Sequence, residues 1–180
     1  MHLLLQNHQF SDRFKQALTD LLPQIKDIQT SQTAYGPVLL SVYEKYLEEV
    51  PISIYQLSDG ELICLAFLAL ILAPNELGAF LFCIEEPENF LHPYLIDGLV
   101  EVYLQRQREL GPQAAQLLIT THSLHLINNV NIENLLITSK KKGATHISSP
   151  KMKKEVQEVL SREELGLGDL FYSGTLEGED

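Results

Sequence analysis

The sequence is poor in cysteine, in long apolar runs and in positive charge. Its 180 residues hold two cysteines, Cys64 and Cys83, both in apolar stretches and with no CxxC or zinc-ligand spacing. That points to two buried thiols in a reduced compartment rather than a disulfide framework. The longest uninterrupted apolar run, Leu62–Ala73, is twelve residues. A membrane span needs ~20, so this run reads as a buried core helix and no membrane association is expected. Met1-His2 lacks a basic start and Gln6-Asn7-His8 ends the first apolar stretch early, so no secretory leader is expected and the chain reads as cytoplasmic. Thirteen Lys and Arg against 24 Asp and Glu leave a net charge of −11, which argues against phosphate-backbone binding by the chain as a whole. The charge is uneven. Lys140, Lys141, Lys142, Lys151, Lys153 and Lys154 fall within 140–154 with no acid among them.

What is present is enough for a core: 45% of the residues are hydrophobic, sufficient for one domain or part of a larger one. Phe10, Phe14, Leu18, Leu21, Leu22 and Ile25 recur near a 3.6 period and predict a helix over 10–29, bent or broken at Pro23. Val38–Val42 and Ile52–Tyr55 read as extended pieces after Gly36-Pro37 and Pro51. A buried helix is expected from Asp59 to Ala73, then a strand over Ala79–Ile84, apolar throughout and suited to cover on both faces. Pro93 opens a helix to about Glu109, Gln116–Thr120 is a second buried strand, and Leu124–Asn129 is a short helix. Lys140–Gly143 reads as the turn of a hairpin between Leu135–Ser139 and Thr145–Ser148, with a last helix over Lys153–Leu160. The alternation of helices and buried strands predicts an α/β layered fold with a largely parallel sheet.

Chemistry concentrates at the ends of these elements. The strand ending in Glu85-Glu86 sets two carboxylates at the carboxyl edge of the sheet, where open α/β sheets bind ligands and where paired carboxylates suit a hard cation and a polarised water. Taken alone, the pair also fits a solvated acidic turn. The strand Leu117–Thr121 ends in His122-Ser123, a second strand-to-helix turn. Upstream, Leu57-Ser58-Asp59-Gly60-Glu61 opens the buried helix; Ser58 or Asp59 can cap it, and Ser58, Gly60 and the free amides can form an anion site.

In this order and spacing the segments resemble the C-terminal half of an ABC-type (RecF/SMC-like) ATPase domain, most closely the stand-alone bacterial AAA family ATPases. Leu57–Glu61 resembles their signature motif, Phe80–Glu86 their Walker B strand, Pro87–Pro93 their D-loop and Thr121-His122-Ser123 their switch histidine. The similarity runs from about 50 to 140. It implies a P-loop NTPase-like fold and ATP with Mg²⁺ as cofactors. It also implies roles: Glu85 for the metal, Glu86 for orienting and partly deprotonating the attacking water, and His122 for the γ-phosphate. Ser58, Gly60 and Glu61 would face nucleotide held by a second subunit, with Asn89 and His92 at the dimer seam. Asp59, Glu61 and Glu85 depart from the Gly, Gln and Asp common in related transporters. A coupling to DNA maintenance or defence is implied by the family alone.

One element of such a site is missing. A Walker A loop needs Gly-Lys-[Ser/Thr], and no Gly-Lys dipeptide occurs anywhere in the sequence. The expectation is therefore a single partial ATPase domain over 1–180: a lead-in over 1–56, the motif core over 57–139, and a basic hairpin, helix and acidic tail over 140–180. It would work with a Walker A-bearing subunit or missing N-terminal half, as a homo- or heterodimer. The alternative is a non-catalytic module that docks a partner through the signature helix and D-loop. His122-x-x-His125 with Glu85, Glu86 or His92 is also compatible with a metal hydrolase, but lacks a third ligand at a recognised spacing. The lysines of 140–154 are compatible with nucleic-acid contact or with a solvated hairpin rim without aromatic residues to stack bases. Tyr35, Tyr43, Tyr46 and Tyr55 read as core edge or sheet face.

Overall fold

A computed structural model describes residues 1–32, 36, 38–47, 50–73, 80–150 and 166–173. The expected helix over Lys153–Leu160 and the acidic tail lie outside the described residues. The chain divides into two compact units, Met1–Thr120 and Thr121–Asp180.

In the first unit, α1 (His2–Gln6) leads into α2 (His8–Leu21), which Asn7 caps by accepting from the Phe10 N–H. Phe10, Phe14, Leu18 and Leu21 form the buried stripe of α2. The predicted helix over 10–29 is cut short here: it ends at Leu21, and Ile25–Gln32 is strand β1. Ile25 continues the helical spacing of Leu18, Leu21 and Leu22. A bulge follows between Ile25 and Asp27. It puts Ile25 and Ile28, three residues apart, both fully inside, so the strand carries a helix-like spacing. Strand β1 pairs antiparallel with β2 (Val38–Glu44), which pairs antiparallel with β3 (Ile52–Ser53). The extended piece expected at Ile52–Tyr55 turns after Ser53 into a 3₁₀ turn, Ile54–Gln56.

Helix α3 (Asp59–Leu72) is apolar on nearly every side, as its sequence requires, and buries Cys64, Leu65, Leu68, Ile71 and Leu72. Strand β4 (Leu81–Glu85) runs parallel to β5 (Gln116–Thr120), with helix α4 (Pro93–Leu110) as the crossover between them. Among the described residues this pair is the parallel part of the structure and the other sheets are antiparallel, so the sheet is less parallel than expected.

The cover of this pair also differs from expectation. On one face Leu117 and Ile119 meet Phe67, Ile71, Leu91 and Leu99 around a small apolar cavity. On the other, Leu81 is 52% exposed and Leu118 49%. The continuous apolar run therefore reflects two apolar faces, of which one is open. Cys83 lies on that open face, in register with Leu118, and is exposed, which corrects the expectation of two buried thiols. Cys64 is buried, and its burial, then the nearby Glu61 charge, pushes its thiol up to about 12. Maleimide is accordingly expected to label Cys83 in the folded chain and to spare Cys64 until the chain is denatured. Mass mapping of the labelled peptide checks this.

The second unit begins after β5 and contains α5 (Leu124–Asn128), the hairpin β6 (Ile137–Lys141) and β7 (Ala144–Ser148), and α6 (Leu167–Tyr172). Helices α5 and α6 pack closely: the Gly168 N–H donates to Asn128 Oδ1 at 2.7 Å, and a Cβ on Gly168 would lie 2.8 Å from the Leu124 carbonyl oxygen. Among the described residues no helix is long and apolar enough to cross a membrane.

Candidate functional site

In the first unit the sequence-predicted residues occupy two places, the carboxyl end of β4 and the start of α3. Glu85 is the last residue of β4, exposed, and in register with Thr120. Glu86 follows in the left-handed region (φ 42°, ψ 59°), a conformation that costs a residue with a Cβ about 1–2 kcal/mol. Two contacts hold it there. Its N–H donates to the Thr120 carbonyl at 2.9 Å, extending the β4–β5 ladder by one bond, and its Oε2 accepts from the Asn89 side-chain amide at 2.8 Å. The turn Pro87–Asn89 then leads to His92, whose Nδ1 accepts from the Tyr94 N–H at the start of α4. Glu85 thus sits on the strand and Glu86 in a left-handed turn beyond it, two backbone conformations at adjacent positions.

Ser58 and Glu61 form a reciprocal cap on α3. The Ser58 N–H and hydroxyl both donate to Glu61 Oε2 at 2.8 Å, and the Glu61 N–H donates to Ser58 Oγ at 3.3 Å. The Gln24 amide adds a bond to Glu61 Oε1 at 3.0 Å. Burial opposes ionisation of Glu61, but the Ser58 and Gln24 bonds outweigh it and hold the carboxyl below its usual range. Both Glu61 oxygens are thus engaged in fixing the helix start, which makes a positioning part more natural for Glu61 than direct ligand contact. A group with a depressed folded-state pKa stabilises above its unfolded pKa and loses that contribution as pH falls. Glu61→Gln is therefore expected to lower the thermal midpoint at pH 7, with the deficit shrinking below about pH 4. A deficit unchanged at pH 3 would dismiss the charge-dependent part of the cap.

Gly60 links the two places. A Cβ there would lie 3.0 Å from the Phe90 backbone oxygen, so the first turn of α3 is seated directly against the segment following Glu86. Sequence reasoning found Gly60 as an anion-site residue and missed this packing, and it missed Gln24 and the Asn89–Glu86 bond. For Gln24, 37 positions from Glu61, no local signal exists; for Asn89, three residues from Glu86, the turn at Pro87 was the available clue.

His122 belongs to the second unit, exposed and two residues beyond β5. The Ser123 N–H donates to Thr121 Oγ1, and Ser123 Oγ accepts from the Leu126 N–H, so the turn around His122 is built by hydroxyl caps. Among the described residues no three His, Cys, Asp or Glu side chains gather as a metal-holding group, so the metal-hydrolase alternative gains nothing from the fold.

Residues 4–128 match the profile of the family described as "AAA domain, putative AbiEii toxin, Type IV TA system". The chain belongs to this AAA family. No curated protein matches it. Its α/β fold is that of the P-loop ABC-type ATPase heads of SMC proteins. One similar structure, described as concerning ATP-driven dimerization and DNA-stimulated activation of SMC ATPases, aligns with TM-score 0.61 and 12% identity over 91% of this chain and 96% of that one. A second, an Smc head bound to the C-winged helix domain of ScpA, aligns with TM-score 0.60 and 14% identity over 82% of this chain but 44% of that one. A third, an Smc head with coiled coil and joint from Pyrococcus yayanosii, aligns with TM-score 0.57 and 13% identity over 86% and 29%. This AAA chain therefore spans nearly all of one of these neighbours and less than half of the other two.

The donor set at the end of β4 suits a hard cation such as Mg²⁺. Two carboxylates offer hard oxygen donors, and Glu85 is exposed with room for the waters that Mg²⁺ retains. For ATP the fit is partial: the capped start of α3 offers a hydroxyl and amides, while the sequence contains no Gly-Lys to wrap the β- and γ-phosphates.

Proposed function

We propose that the chain supplies the Walker B carboxylates, signature helix and switch histidine of a composite ATPase site, with the phosphate loop coming from another segment or subunit. The observation that carries this reading is the placement of Glu85 and Glu86 at the carboxyl edge of a parallel pair whose second face is open and apolar. A two-stranded parallel sheet covered on one side is marginal, and further strands and a second layer would complete it.

In this reading Glu85 holds Mg²⁺, directly or through water, and when bound the ion neutralises charge on the transferred phosphoryl group. Glu86, aimed by its left-handed turn and steadied by Asn89, accepts a hydrogen bond from the attacking water and takes up its proton. His122 donates to the γ-phosphate. Ser58 and the amides at the start of α3 face the nucleotide of a second protomer, with Glu61 and Gln24 fixing the hydroxyl. Gly60 lets that helix start sit against the segment that carries Asn89 and His92 to the seam between protomers. Catalysis then consists of positioning and charge stabilisation. The likeness to an SMC ATPase with ATP-driven dimerization and DNA-stimulated activation supports a dimeric ATPase coupled to DNA; a part in maintenance or defence rests on the family resemblance.

The test is steady-state ATP hydrolysis by the chain alone and by the assembly it forms in its native cells. Hydrolysis by the assembly and not by the chain supports the composite site. Hydrolysis by neither leaves the non-catalytic docking module as the better reading.

A further inference from the structure

The basic segment has no part in the nucleotide reading, yet it is the sharpest charge feature of the chain. Strands β6 and β7 pair antiparallel from Ile137↔Ser148 to Lys141↔Ala144, closed by the two-residue turn Lys142-Gly143. Both turn residues have positive φ, 50° and 85°, the geometry that matches the twist of a tight hairpin. Asn or Gly would adopt it at least cost at the first position, so a lysine there is held against backbone preference. The base is buried at Ile137, whereas every residue from Lys140 to Ser149 is exposed. With a rise of ~3.4 Å per residue, Lys141 stands about 14 Å from Ile137.

We infer that the β6–β7 hairpin is a contact surface for the phosphate backbone of double-stranded DNA. Lys140, Lys141 and Lys142 supply adjacent charges at the end of a ribbon two strands wide, a shape the major groove admits. Residues 137–148 contain no Arg, Asn, Gln, Phe, Tyr or Trp, so the contacts expected are chiefly to phosphate and carry little sequence preference. The side chains around the tip are lysines, Thr145 and Ala144, with no cluster of large apolar residues to enter a lipid surface. The inference does not need the nucleotide site, and its test uses no ATP, so the two stand or fall separately.

Fluorescence anisotropy of a 30-base-pair duplex of arbitrary sequence, titrated with the full chain between 50 and 200 mM salt, decides it. Three phosphate contacts give a slope of log Kobs against log salt near −2.7 and a loss of about 40-fold across that range. K140Q/K141Q/K142Q is expected to flatten the slope by two to three units with an unchanged circular dichroism spectrum. K26Q/K45Q/R108Q removes the same charge from exposed positions elsewhere and is expected to change the slope by less than one unit. The inference is overturned by absence of duplex binding at 50 mM salt, by an equal effect of the two triple variants, or by tighter binding to phosphatidylserine vesicles than to duplex.

Discussion

Glu86→Gln is expected to reduce ATP turnover by the complemented assembly by about 10²–10⁴-fold, the range for loss of a positioned general base, while leaving nucleotide bound. The argument starts at the backbone. Glu86 occupies the left-handed region, held by the Thr120 carbonyl on one side and the Asn89 amide on the other. Gln preserves the shape of the side chain and can still accept from Asn89, so folding and nucleotide affinity should be little changed. What it loses is the capacity to take a proton from water. Bound ATP with slow turnover, read by a filter assay beside steady-state kinetics, is the expected pair of results. A retained rate would remove Glu86 from this part. Equal loss of binding and turnover would instead mark it as a ligand-holding group.

The largest stability effect is expected at Phe14. Its side chain is fully buried and stacks on Phe10 with ring centroids 5.3 Å apart and an interplanar angle of 21°. Phe14 is on the buried stripe of α2, and that helix packs against α3, α4 and β1. Phe14→Ala removes the ring and leaves a cavity, costing about 3–5 kcal/mol. That is a large part of the stability of an ordinary domain, about 5–15 kcal/mol. Urea unfolding followed by circular dichroism measures it. A loss below about 1 kcal/mol would mean that the α2 layer is not part of the cooperative core.

The parts of this molecule legible in the sequence are those with strong local signals. Pro93 after a strand-turn marks α4, and Ser58-Asp59 with Glu61 marks the capped start of α3, where Ser58 is the cap; Lys140–Gly143 marks a hairpin, whose strands run two residues further in, to Lys141, and leave only Lys142-Gly143 as the turn. The family, too, was legible, through the order of short motifs between residues 57 and 123. Failures came where the decisive interaction is not local. Ile25 continues the helical spacing of Leu18, Leu21 and Leu22, but it opens β1, whose pairing with the distant β2 has no local signal. The apolar run of β4 suggests cover on both faces, but composition reports what a face is made of and not what lies against it. Cys83 was misplaced for that reason. The links from Gln24 to Glu61 and from Gly60 to the Phe90 carbonyl join distant segments and left no trace in spacing.

The central claim is that nucleotide is held only when a phosphate loop is supplied from elsewhere. It is tested most directly by calorimetric titration of Mg-ATP into the chain alone and into its native assembly. The account predicts no saturable binding by the chain alone. With the assembly it predicts binding in the range of about 1 μM to 1 mM typical of enzyme substrates. Saturable binding by the chain alone, or none by the assembly, would contradict it.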